Sequence, residues 1–371
     1  MNSLQKLSEL GQALWLDDLH RDLMTSGKLE HLITADSLRG MTSNPAIFQK
    51  AIADHPDYEA DIRAAGREGK PVAEIFETLA VKDVQMAAEV FHPLYEKTQG
   101  EHGYVSLEVN PHFARDTGRT LQEARRLWQA VNRPNIFIKV PGTAAGLPAI
   151  SQLISEGINI NVTLLFGLPR YAAVADAFLT GLEQRLQKGQ PVRSVRSVAS
   201  FFLSRIDVLL DPKLEAVAGQ GGGRGTLAAA MRGQVAIAAA QSAYQIYREI
   251  KGSERWQQLA LNGARPQWLL WASTSTKNPD YSAVKYVEPL IGPDTINTMP
   301  METLEAYRAQ GQPQARLEQD VDQARRVMAQ LAEVGLDIDA ATQQLETEGV
   351  EKFCKPFDAL MKTLAQEVAA A

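Results

Sequence analysis

The chain has 371 residues, 45% of them hydrophobic and 22% charged, the balance of an ordinary globular protein with ample core. A net charge of −6 argues against non-specific nucleic-acid binding while leaving room for a local anion pocket. The lone cysteine, Cys354, excludes a disulfide within the chain, and no apolar run approaches membrane-spanning length.

The opening residues lack a basic start followed by an apolar core, so no secretory signal is evident and a reducing, cytoplasmic setting is expected. After a first helix, residues 13–19 read as a strand with Trp15, Asp17 and Leu19 on one face. Residues 20–37 are helical in composition. Residues 40–45 form a short second strand, with Thr42 and Asn44 sharing a face and Pro45 ending it. Helical stretches run from 46 to about 99. The third strand, 103–109, alternates Ser106 and Glu108 with Val105, Leu107 and Val109, and a helix follows over 117–132.

The fourth strand, within 135–143, places a single lysine, Lys139, inside an apolar, β-branched run stopped by Pro141 and Gly142. Burying an unpartnered cation is costly, so such a lysine tends toward the neutral amine that attacks a carbonyl. The alternative is a lysine that snorkels out of the strand end or pairs with an acid. After a helix over 144–156, the fifth strand, 159–166, sets Asn161 and Thr163 on one face. Residues 169–188 are helical, and a sixth strand, 197–203, runs toward Arg205. One long Ala/Gln-rich helix is expected over 226–251, and a seventh strand over 267–274. Residues 284–291 and 295–298 surround the eighth. From Met301 onward the chain is polar and helical.

Strands alternating with helices imply parallel βαβ units, and eight of them fit an α/β fold of the (β/α)8 TIM-barrel type with additional helices. Polar residues recur near the C-terminal strand ends (Asp17, Asn44, Glu108, Lys139, Asn161, Thr163, Ser200), and a closed barrel gathers those ends around one mouth. The expected organisation is a single barrel domain over 1–371, with 301–371 a helical part packed on it. The glycine-rich run 219–225 lacks the strand before it and the Gly-Lys-Ser/Thr that would make a phosphate loop, and reads as a surface turn. The six histidines show no ligand spacing, so no metal is expected.

Five motifs on successive strands then carry a resemblance: Trp-Leu-Asp-Asp-Leu at 15–19, Met-Thr-Ser-Asn-Pro at 41–45, Val-Ser-Leu-Glu-Val at 105–109, Ile-Lys-Val-Pro at 138–141 and Asn-Val-Thr-Leu-Leu-Phe at 161–166. Over nearly its whole length the chain resembles the transaldolases, specifically the bacterial branch with a long C-terminal part. The resemblance implies that Lys139 forms a Schiff base with a ketose phosphate, without a cofactor. It implies that Asp17 is the acid/base group and that Glu108 and Thr163 hold a catalytic water. Asn44, Asn161, Ser200 and Phe202 match residues around the dihydroxyacetone moiety, and Arg205 matches a phosphate-binding arginine. The family's second phosphate arginine is missing from the stretch at 272–278, which offers Lys277 instead.

By the same resemblance the donor is fructose 6-phosphate or sedoheptulose 7-phosphate and the acceptor an aldose phosphate, in the pentose phosphate pathway. Sugar phosphates are the expected partners, with no nucleic acid or membrane, and the chain is expected to be a monomer or homodimer. Two alternatives stand beside transfer. One is a Schiff-base fructose-6-phosphate aldolase that releases free dihydroxyacetone, and the other a barrel that binds sugar phosphates without catalysis. Shorter relatives with the aldolase activity carry Gln and Tyr where this chain has Glu108 and Phe202, which favours transfer.

Overall fold

Eight parallel strands close on themselves in chain order in the computed structural model, which describes residues 2–369. They are β1 (Gln12–Asp17), β2 (Leu38–Thr42), β3 (Tyr104–Glu108), β4 (Ile136–Pro141), β5 (Ile160–Leu165), β6 (Ser197–Phe202), β7 (Trp268–Ala272) and β8 (Thr295–Met299). β4, β5 and β6 are buried at every position, as expected of strands covered by helices outside and by barrel side chains inside. The β1–β8 pairing completes the ring, so the sheet has no free edge. The fold is a (β/α)8 barrel.

The lower interior is filled by aromatic side chains. The Trp15 and Phe137 rings lie 5.9 Å apart, and Phe137 meets Tyr104 at 4.6 Å. Gly40 faces the indole so closely that a Cβ there would fall 2.4 Å from a Trp15 ring carbon, so β2 needs a residue without a side chain at this level. Strand side chains alternate, so the residues two places further along point into the same interior one layer higher. Those residues are Asp17, Thr42, Ser106 and Lys139, and the barrel's upper layer is therefore polar.

Several expected elements differ. The helix foreseen over 20–37 is two, Arg21–Thr25 and Lys28–Ala35, parted by Gly27 in a left-handed conformation (φ 78°). The helix foreseen over 226–251 is also two, Gly222–Met231 and Val235–Gly252, separated where Gly233 takes φ 67°. Helices Ser204–Ala218 and Glu254–Leu261 had no sequence assignment. The residues at 284–291 are turns and a short 3-10 helix, Glu288–Leu290, where Pro289 has no N–H for a ladder. β8 is formed by the second of the two candidate segments alone. Asn44 is not in β2: it is the N-cap of the helix Pro45–Asp54, its Oδ1 accepting from the Ala46 and Ile47 amides at 3.0 and 3.1 Å.

The part after residue 300 is helical: Met301–Gln310, Val321–Gln330 and the 32-residue Ile338–Ala369. The last helix packs on Pro45–Asp54, Glu59–Arg67, Val72–Lys97 and Ser204–Ala218 and reaches β5, so it lies across the mouth of the barrel rather than against its wall. Residue 1 and residues 370–371, the ends of the expected domain, lie outside the described residues. Among the described residues no helix is long and apolar enough to cross a membrane.

Candidate active site

Pairing of β3 with β4 sets Glu108 beside Lys139, and pairing of β4 with β5 sets Lys139 beside Asn161. The two charged side chains are 5% and 4% exposed, and Nζ stands 3.3 Å from a Glu108 carboxylate oxygen. The lysine is thus both buried and paired with an acid. Its Nζ also donates to the Ser43 carbonyl at 3.2 Å. Neither Glu108 oxygen has a hydrogen bond of good alignment among the described residues, and Thr163 Oγ1 on β5 has none either. Buried oxygens without a hydrogen bond carry a desolvation cost, which the Lys139 cation offsets only at Glu108.

Burial pushes the Glu108 carboxyl up to about 7, against the pull of the Lys139 cation. Asp17, at the end of β1, is also raised by burial, and is opposed by Lys139 and by the hydroxyl of Thr42. That hydroxyl donates to Asp17 Oδ1 at 2.7 Å and meets Thr298 Oγ1 at 3.0 Å, which fixes the carboxylate from β2 and β8. Asp18, just past the end of β1, lies instead 3.9 Å from the His20 ring, whose pKa is lowered by burial. Two carboxylates thus act on one lysine, and among the described residues only Glu108 forms an ion pair with it.

A second polar chain spans the interior. Ser200 Oγ donates to Asn161 Oδ1 at 2.7 Å, and Asn161 Nδ2 donates to Ser106 Oγ at 3.0 Å, linking β6, β5 and β3. Ser106 also anchors the β2 end, because its carbonyl accepts from Ser43 Oγ at 2.6 Å. Ser106 was not among the expected site residues, although its alternation with Glu108 was the signal for it. Ser43, Thr42 and Thr298 were likewise missed. Asn44 lies half-exposed above this layer as a helix cap.

Arg205 sits in the first turn of Ser204–Ala218, directly after β6. Its guanidinium lies 5.3 Å from the Phe202 ring centre, and a buried Nη1 has no partner among the described residues. Burial lowers its pKa, while Asp17 and Glu108 oppose that shift, so the arginine belongs electrostatically to the same site. Phe202 packs against Phe166 at 5.3 Å. Lys277 is different: it is exposed in the loop after β7, and its Nζ is turned back onto Ser275 Oγ at 2.7 Å.

Phe353 of the last helix, unforeseen from sequence, completes the enclosure. Its ring centre is 5.6 Å from Lys139 Nζ and 5.8 Å from the Arg205 guanidinium carbon. The arrangement supplies a buried amine, a carboxyl pushed up to about 7, a second carboxylate bonded by Thr42, and an arginine Nη1 with no partner among the described residues. Such a set suits carbonyl addition and proton transfer on a small anionic substrate.

A family model described as "Transaldolase/Fructose-6-phosphate aldolase" matches residues 14–364. A transaldolase of Trichodesmium erythraeum is 46% identical over 376 aligned residues, covering 99% of this chain and 98% of that protein. A transaldolase of Thiobacillus denitrificans is 46% identical over 97% of this chain and 99% of its own length. One of Thermobifida fusca is 45% identical over 99% of this chain and 98% of its own.

Proposed function

The chain belongs to the transaldolase/fructose-6-phosphate aldolase family, and from that premise we propose that it is a transaldolase, a transferase acting through a lysine Schiff base. The observation that carries this reading is the buried 3.3 Å pair of Lys139 and Glu108, with Asp17 held nearby by Thr42. In this reading the Lys139 amine adds to the C2 carbonyl of a ketose phosphate and water leaves, giving an iminium. Glu108, with a carboxyl near neutrality, moves the protons of that exchange through a water shared with Thr163. The iminium then accepts the electron pair of the C3–C4 bond as Asp17 takes the proton of the C4 hydroxyl. An aldose phosphate leaves, and a three-carbon enamine remains on Lys139.

The second half reverses these steps on another aldose. The enamine C3 bonds to the aldehyde carbon, Asp17 returns its proton to the new hydroxyl, and water frees the ketose. Asn161 and Ser200 hold the hydroxyls of the three-carbon unit, with Asn44 and Phe202 at its edge. Arg205, with its free Nη1, takes the phosphate, and Lys277 assists from the rim. The donor is fructose 6-phosphate or sedoheptulose 7-phosphate, which places the reaction in the pentose phosphate pathway. A cytoplasmic monomer or homodimer completes the proposal, consistent with a single free thiol at Cys354.

The test is an assay with fructose 6-phosphate and erythrose 4-phosphate together. Transfer gives sedoheptulose 7-phosphate and glyceraldehyde 3-phosphate in equal amounts. Free dihydroxyacetone formed at the same rate with and without the acceptor would identify an aldolase instead, and binding without turnover would identify a non-catalytic barrel.

A further inference from the structure

Phe353 stands at the middle of the helix Ile338–Ala369 and is 6% exposed. Its ring lies within cation–π distance of both Lys139 and Arg205 and 6.5 Å from Phe202. The helix is held close by Gly349, one turn earlier. A Cβ at that position would come 3.1 Å from a Leu164 methyl, and the Phe166 ring lies just beyond. Side-chain ties flank the ring: Arg170 to Glu346 at 2.9 Å, His112 to Asp358 at 2.7 Å, and Phe357 against Phe76 at 5.6 Å. The helix is thus held over the mouth, and it presents the Phe353 ring to both the nucleophile and the arginine.

With Lys139 Nζ 5.6 Å and the Arg205 guanidinium 5.8 Å from the same ring, a ketose phosphate joined to Lys139 at C2 with its phosphate on Arg205 would pass beside Phe353. To admit a full-length sugar the ring would have to turn aside about its own side-chain torsions, and it could return once the first aldose leaves. We propose that Phe353 is a specificity-determining residue that closes over the three-carbon enamine on Lys139 and sets the partition between transfer and release. This inference rests on the transaldolase reading above.

The competing step begins with water. For release, the enamine C3 takes a proton from water and the nitrogen becomes an iminium. A water oxygen then adds to C2, the C2–N bond breaks with its electron pair going to nitrogen, and dihydroxyacetone leaves. An apolar ring over C3 withholds the proton donor for the first of these steps. An acceptor aldose overcomes the same ring because its phosphate is drawn to Arg205, an attraction neutral water does not share. The later hydrolysis of the product ketose is unaffected, because its water approaches from the Glu108 and Thr163 side while the longer sugar keeps the ring displaced.

The experiment uses Phe353→Ala and Phe353→Leu in the full chain. Two quantities are read with fructose 6-phosphate: the borohydride-trapped mass on Lys139, and the ratio of free dihydroxyacetone released to sedoheptulose 7-phosphate formed at fixed erythrose 4-phosphate. Trapping is expected to persist in both variants, while the release-to-transfer ratio rises about tenfold for Ala and about threefold for Leu. A ratio within about twofold of wild type in variants that still trap would overturn the assignment of Phe353 and leave the transaldolase reading intact. If circular dichroism shows that the Ala variant does not fold, the Leu variant decides by the same ratio. Failure of the wild type itself to trap would overturn both readings.

Discussion

Lys139 and Glu108 are neighbours in the barrel twice over: they pair in register on β4 and β3, and their charged ends lie 3.3 Å apart behind almost complete burial. Neither group is stable as a lone charge in that place, and each moderates the other. The carboxyl still titrates near 7, because burial outweighs the lysine's attraction. A group with that value both donates and accepts protons at neutral pH, which imine formation and hydrolysis each demand.

The first prediction concerns pH. Turnover should fall on the acid side with an apparent pKa near 7, as Glu108 becomes fully protonated, and Glu108→Gln should lose that limb along with most activity. The raised carboxyl also makes a stability statement. Folding is favoured below the ordinary carboxylate range and loses this contribution as pH rises through about 7, since the folded state then carries a buried anion. The Tm of Glu108→Gln minus that of wild type should therefore rise by a few degrees from pH 5 to pH 8, on top of a constant loss from the unpaired Lys139. A Tm difference independent of pH would contradict the shift.

The second prediction separates two adjacent acids. Asp17 lies in the interior with Thr42 on its carboxylate, whereas Asp18 faces His20. Asp17→Asn should slow carbon–carbon cleavage by about 10²–10⁴, the usual worth of a positioned acid/base group. Asp18→Asn should leave kcat within about twofold, since it removes only a weak, partly exposed contact. Equal losses in single-turnover cleavage would refute the assignment.

The third concerns the phosphate. Arg205 is buried with an unpaired Nη1 beside Phe202, while Lys277 is exposed and bonded to Ser275. Arg205→Ala should cut kcat/KM for fructose 6-phosphate by about 10²-fold or more, and Lys277→Ala by only a few-fold, mostly through KM. Neither should much alter reaction with unphosphorylated fructose. If Lys277→Ala impairs both donors equally, Lys277 serves the loop after β7 and not the phosphate.

Much of this site was legible in the sequence because strand alternation is a local property. Asp17, Glu108, Lys139, Asn161, Thr163 and Ser200 all lie at or near strand ends whose period-2 pattern survives in the fold, and Ser106 could have been read the same way. The misreadings come where local signals compete. Asn44 before Pro45 is a helix-start pair that also resembles a strand end, and the cap is what forms. Gly233 parts a composition that otherwise reads as one helix. Phe353 had no local signal at all. Its spacing with Phe357 and Leu360 is that of any amphipathic helix, and only the path of Ile338–Ala369 over the mouth brings it to Lys139.

Every step of this chemistry requires that the Lys139 amine become covalently joined to the substrate. Incubation with fructose 6-phosphate and borohydride, followed by peptide mass analysis, tests it most directly. One reduced adduct per chain is expected, on the peptide containing Lys139, and none in Lys139→Arg, whose guanidinium stays protonated and cannot form the imine. An adduct on any other lysine, or none in the wild-type protein during turnover, would contradict it.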